Sequence, residues 1–203
     1  MNDDNDNMTR ICVFAASGDG IAPCFFEAAH ELGTLMARRG WGCVNGAGSS
    51  GLMKAVSDGT LDAGGIATGV IPKFMVDNGW HYDRLSELII TPDMHERKRM
   101  MSSLSNAVVA LPGGCGTLEE LLEAITWRQL GIIDKPIVLL NTDGFFDPLV
   151  EMLERCVERG FMRPTHNRIW NVAATPAEAV DMLAHLLDNG VAPIEPARER
   201  IMK

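Results

Sequence analysis

The stretch that most constrains the fold is LPGGCGTLEELLEAITWRQL, Leu111 to Leu130, where an apolar run meets an amphipathic helix through a glycine turn. The run Ala107 to Leu111 (AVVAL) reads as a fully buried strand, and Pro112 removes a donor where the ladder should stop. Gly113, Gly114 and Gly116 predict a backbone that takes positive φ and approaches a ligand with no Cβ in the way. Thr117 is expected to open a helix whose leading N–H groups lack partners and whose dipole favours an anion such as phosphate. A second reading of the same residues needs no ligand. Thr117-Leu118-Glu119-Glu120 fits a capping box, Thr117 as N-cap and Glu120 at the third helical position. Capping accounts for Thr117 and Glu120, but not for three glycines behind a proline.

The rest of the chain repeats the strand, turn, helix pattern. Ile11 to Ala15 reads as a first buried strand, followed by the turn Ser17-Gly18-Asp19-Gly20 and a helix from Pro23 to Arg39. Trp41 to Val44 leads into a second glycine loop, Gly46, Gly48 and Gly51, before a helix at Leu52 to Ala63. That helix N-terminus is expected either to face the same ligand or to be an ordinary turn. Further strands are expected at Ile66 to Ile71, Glu87 to Thr91, Pro136 to Leu140 and Ile169 to Val172, with helices at Phe145 to Arg159 and Pro176 to Leu187. Phe74 to Leu85 has no assignable role. The alternation predicts a three-layer α/β Rossmann-like fold, a mainly parallel sheet with helices on both faces. At 203 residues, one domain over 9–189 is expected, between an Asn/Asp-rich disordered tail at 1–8 and a fraying end at 190–203.

Composition narrows the ligand. A formal net charge of −9 argues against an extended nucleic-acid surface, whereas a small anion needs only a local cationic pocket. Five cysteines without a CxxC pair read as reduced thiols, and no signal peptide or bilayer-length apolar run is present; a cytoplasmic protein is expected. Cys115, in the middle of the turn, invites a nucleophile reading, but no histidine is near it in sequence. The five histidines show no metal-ligand spacing. On the helix MHERKRMM, Met94, Arg97, Lys98 and Met101 share a face; Arg97, Lys98 and Arg99 read either as a solvated basic face or as a phosphate site. Leu118, Leu121, Leu122, Ile125, Thr126 and Leu130 mark one broad apolar face, part of which is expected to meet a partner subunit.

PGGCGTLEE fits the PGGxGTxxE signature of the Lonely Guy (LOG) family, cytokinin riboside 5′-monophosphate phosphoribohydrolases, and MHERK resembles the family's Met-x-x-Arg-Lys segment. The likeness runs from about Ile11 to Leu187. It implies hydrolysis of the N-glycosidic bond of an N6-substituted adenosine 5′-monophosphate, with Arg97 and Glu120 catalytic, no metal or organic cofactor, and a homodimer. Gly114, Gly116 and Thr117 would hold the 5′-phosphate, with Lys98 and Gly113 also binding substrate, while Ser17, Gly18, Gly46 and Gly48 would line the nucleotide pocket and Met94 would pack on the base. Ala16, Ala47 and Lys54 depart from the family's commoner glycines and put base preference in question. Two rivals remain: a non-catalytic nucleotide or molybdenum-cofactor carrier of the same superfamily, and a pyridoxal-phosphate lysine decarboxylase, for which no Ser-x-His-Lys-like segment exists.

Overall fold

The computed structural model describes residues 8–194. In chain order the elements are β1 (Arg10–Phe14), α1 (Pro23–Arg38), β2 (Gly42–Asn45), α2 (Gly51–Asp62), β3 (Ala67–Pro72), α3 (Lys73–Asp77) and β4 (Glu87–Thr91). There follow α4 (Met94–Ser103), β5 (Ala107–Ala110), α5 (Cys115–Gln129), β6 (Ile137–Leu140), α6 (Asp147–Glu158), β7 (Asn171–Ala173) and α7 (Pro176–Asn189). The seven strands form one sheet in the order β4-β3-β2-β1-β5-β6-β7, every pairing parallel.

The apolar runs are continuous because both faces of the sheet are covered. Ile11, Val13, Ala107, Val109, Val138 and Leu140 point to one core, shared with α1, α2 and α7. Their alternates Cys12, Phe14, Val108, Ala110, Ile137 and Leu139 point to the other, shared with α4, α5 and α6. The expected Rossmann-like α/β architecture is therefore present.

Three local expectations change. The unassigned segment contains α3 and then crosses the second glycine loop through a bridge between Gly48 and His81. The helix expected from Phe145 begins at Asp147, because a tight turn at Thr142–Gly144 precedes it, and Phe145 is left half-exposed. In α5, Leu121, Ala124 and Ile125 are buried, while Leu122, Thr126 and Leu130, four residues apart, face outward. The tails expected at 1–8 and 190–203 fall mostly outside the described residues; Met8 and residues 190–194 carry no helix or strand.

Candidate active site

The strand order reverses between β1 and β5, and parallel sheets hold ligands in the crevice beyond the strand ends at such a point. A cavity of about 570 Å³ lies there. The loop after β1 (Ala15 to Gly18) and the turn after β5 (Pro112 to Thr117) form two sides, α4 contributes Met94 and Arg97, and α5 contributes Glu119 and Glu120.

The helix at the back of this cavity is open at its N-terminus. Gly114, not Thr117, is the N-cap, and no side chain caps α5; Cys115, Gly116 and Thr117 occupy its first turn. The first helical bond across the boundary runs from Leu118 N–H to Gly114 O at 3.0 Å, which leaves the three N–H groups before it for a ligand. The capping-box expectation fails because the N-cap falls three residues earlier than Thr117. The expected positive φ fails as well: Gly113, Gly114 and Gly116 are absent from the left-handed region. Their smallness acts otherwise. A Cβ on Gly113 would lie 2.1 Å from Thr117 Oγ1, whereas one on Gly114 or Gly116 would meet nothing within 4 Å and would only narrow the cavity.

The second glycine loop behaves differently. Gly51 N–H donates to Asp19 Oδ1 at 2.7 Å, and the N–H groups of Leu52 and Met53 donate to Ala16 O at 2.9 and 3.2 Å. The first loop has therefore closed the N-terminus of α2, and it offers nothing to an anion. Gly51 is required where it stands, with φ +63° and Ala16 O 2.5 Å from a built Cβ.

Arg97 and Glu120 meet at the cavity floor. Arg97 is 6% exposed; its Nε donates to Val70 O at 3.1 Å and its Nη1 to Glu120 Oε1 at 2.7 Å. Asp93 caps the helix that carries Arg97, accepting from Glu96 N–H at 2.8 Å. Burial pushes the Glu120 carboxyl above its usual range, and Arg97 offsets this only in part. Lys98, the next residue, points elsewhere: its ammonium donates to Glu119 and, at 3.1 Å, to Glu123. Burial pulls its pKa down, yet the two carboxylates outweigh that and raise it.

Of the residues singled out in the sequence, Ser17, Gly18, Met94, Arg97, Gly113, Gly114, Gly116, Thr117 and Glu120 surround the one cavity. Gly46 and Gly48 line an adjoining space of about 300 Å³, walled also by Met75 and Trp80 and sharing Arg97, Ser17 and Met53 with the first. Lys98 lines neither. Cys115 lines the main cavity, and no histidine does so among the described residues. Sequence reasoning missed the apolar wall formed by Ile21, Phe25, Met53 and Phe145. Phe25 belongs to α1, and its contact with Phe145, ring centroids 6.3 Å apart, joins residues far apart in the chain.

Of the three departures, Ala16 lines the cavity, while Lys54 pairs with Asp58 at 2.6 Å and lies over Tyr82. Ala47 takes φ +61°, held by its N–H to Asn45 Oδ1 at 2.9 Å and its carbonyl to Tyr82 N–H at 2.9 Å.

Fold and site together define a class: a Rossmann-like α/β protein with an open helix N-terminus at the strand switch and a buried arginine–glutamate pair beside it. Comparison with known proteins narrows this. Residues 53–183 match the protein family described as "possible lysine decarboxylase". The probable cytokinin riboside 5′-monophosphate phosphoribohydrolase LOGL2 of Oryza sativa subsp. japonica is 44% identical over 174 residues, 86% of this chain and 71% of that one. The cytokinin riboside 5′-monophosphate phosphoribohydrolase LOG5 of Arabidopsis thaliana is 42% identical over 174 residues, 86% of this chain and 76% of its own length. Among solved structures, the molybdenum cofactor binding protein of Rippkaea orientalis superposes with a TM-score of 0.69 at 25% identity, covering 89% of this chain and 98% of that one. The Moco carrier protein of Chlamydomonas gives 0.68 at 27% identity, covering 90% and 99%. The chain belongs to the LOG family and is an enzyme of the LOG phosphoribohydrolase type.

Proposed function

We propose that the enzyme hydrolyses the N-glycosidic bond of adenosine 5′-monophosphates, N6-substituted ones included, giving the free base and ribose 5-phosphate. The observation that carries this reading is the buried Arg97–Glu120 pair on the floor of a cavity whose back wall is the uncapped N-terminus of α5. The 5′-phosphate sits on the N–H groups of Cys115, Gly116 and Thr117, a sequence-independent anion site. The sugar then lies over Glu120. As the bond to the base breaks, its electron pair leaves with the base and positive charge develops on the sugar; the Glu120 carboxylate stabilises that charge and orients the water that adds to the anomeric carbon, and the proton that water loses balances the one the departing base gains. Arg97 fixes the carboxylate and offers its remaining N–H groups to the substrate.

The sugar and base meet an apolar wall in Phe25, Met53, Met94 and Phe145, which suits a ring and an aliphatic N6 group. The decarboxylase description fits the cavity poorly, because pyridoxal phosphate needs a lysine and none lines it among the described residues. The homodimer is part of the same proposal, with α5 as its contact. Leu122 and Leu130 of that helix are 40% and 46% exposed, and Ile132 just beyond it 63%.

The test is release of free base and ribose 5-phosphate from AMP and from N6-isopentenyl-AMP, wild type beside Glu120→Gln. Gln keeps the acceptor for Arg97, so the variant is expected to fold and bind while hydrolysis is lost. Full turnover by Glu120→Gln removes Glu120 from the chemistry. No release by wild type, with nucleotide still bound, replaces the hydrolase by a carrier.

A further inference from the structure

We infer that Gly46 is a positioning residue for Arg97: the missing side chain at Gly46 is what lets the guanidinium lie against Glu120 with one edge left for the substrate. A Cβ built on Gly46 would lie 1.9 Å from Arg97 Nη2 and 3.0 Å from its Cζ. A left-handed backbone is not what demands glycine here, because Gly46 lies outside that region. What excludes a side chain is chiefly the space Arg97 already fills, with the flexible Met53 Sδ 3.1 Å from the same built Cβ.

A clash with the end of a long side chain is ordinarily relieved by moving that end, but neither party here is free to yield. The guanidinium is tied at Nε to Val70 O and at Nη1 to Glu120. On the other side, Asn45 is anchored by its Nδ2 to Ser57 Oγ at 2.8 Å, and its Oδ1 accepts from Ala47 N–H at 2.9 Å. Gly46 is thus held between two fixed neighbours. With Gly46 in place, Nη2 has no hydrogen-bond partner among the described residues, and Arg97 borders both the main cavity and the smaller one beside it. An added methyl would turn the guanidinium out of this slot and off Glu120. This deepens the proposed reaction, and only its kinetic arm rests on that reading.

The test compares wild type, Gly46→Ala, Arg97→Gln and the double variant. Gly46→Ala is expected to lower Tm in the wild-type background and to leave it unchanged in the Arg97→Gln background, where the slot is vacant. Turnover of AMP should fall about 100-fold, the usual effect of shifting a positioned catalytic group by about 1 Å. In a carbon-13 titration, the Glu120 carboxyl of Gly46→Ala should move upward from wild type, since Arg97 is what holds it down. The inference is overturned if Gly46→Ala lowers Tm equally with and without Arg97, which would make Gly46 a matter of backbone packing. It is overturned equally if Glu120 titrates as in wild type. Should Arg97→Gln not fold, the titration of Gly46→Ala decides alone. Neither Tm nor titration needs turnover, so loss of the hydrolase reading, seen as no release even by wild type, leaves the positioning role still decided.

Discussion

At Glu120, burial and the Arg97 guanidinium act on one carboxyl in opposite directions, and burial wins, so the pKa is raised. The sign of the consequence follows from linkage. A carboxyl whose folded pKa exceeds its unfolded value, ordinarily near ~4.3, favours the folded state while protonated. That contribution is complete below the unfolded value and is lost as pH rises through the folded one. Glu120→Gln cannot titrate, and every other group is common to both proteins. The Tm of wild type minus that of Glu120→Gln should therefore fall as pH is raised from acid towards neutrality. A difference that instead grew with pH would mean that Arg97 dominates and that Glu120 is an ordinary buried ion pair. The same direction applies to catalysis. On the proposed mechanism, the carboxylate that stabilises the cationic sugar is present only above the raised pKa, so as pH falls turnover should fail at a higher pH than an exposed glutamate would allow.

The two glycine loops lead to helix N-termini of opposite character, and each gives a prediction. At α2 the Asp19 carboxylate closes the first turn, so Asp19→Ala should cost about 1 kcal/mol, as other lost caps do, and lower Tm by about 2–4 °C for a chain of this size. At α5 Thr117 is no cap, so Thr117→Val, which keeps shape and removes only the hydroxyl, should leave Tm within about 1 °C of wild type, less than a lost cap would cost. It should nonetheless weaken competition by inorganic phosphate in a nucleotide-binding assay; a loss of Tm with unchanged phosphate binding would restore the capping reading. These two sites also mark what the sequence could and could not say. The strands were legible because both their faces are buried, which writes them as unbroken apolar runs such as AVVAL and IVLL. Which glycine loop stays open was not, because the group that closes α2 stands 32 residues earlier in the chain. Nor was the parting of Arg97 from Lys98, since adjacent helical residues point about 100° apart and only tertiary packing says which one faces the cavity. The capping-box pattern at Thr117 was present in the letters but was overridden when Gly114 and Cys115 took the helix start.

Across the whole molecule, the sheet is covered on both faces, α4 and α5 share one of them, and Leu122, Leu130 and Ile132, on or just beyond α5, are among the large apolar side chains left exposed. Arg97 of α4 and Glu120 of α5 tie these helices together, so a contact made by α5 would brace that pair from behind. Each chain carries a formal net charge of −9, and two such chains repel. Burial of apolar area is insensitive to salt, whereas this repulsion is screened with a Debye length of about 8 Å at physiological ionic strength. A homodimer held by the apolar face should therefore tighten as salt is raised from low to physiological strength, and sedimentation equilibrium would read this directly. An interface held by charge pairs would loosen instead. Leu122→Glu with Ile132→Glu should dissociate the proposed homodimer to folded monomer at both salt concentrations, because each would place an unpaired carboxylate in its buried contact. If the double variant sediments as wild type does, the dimer contact lies elsewhere.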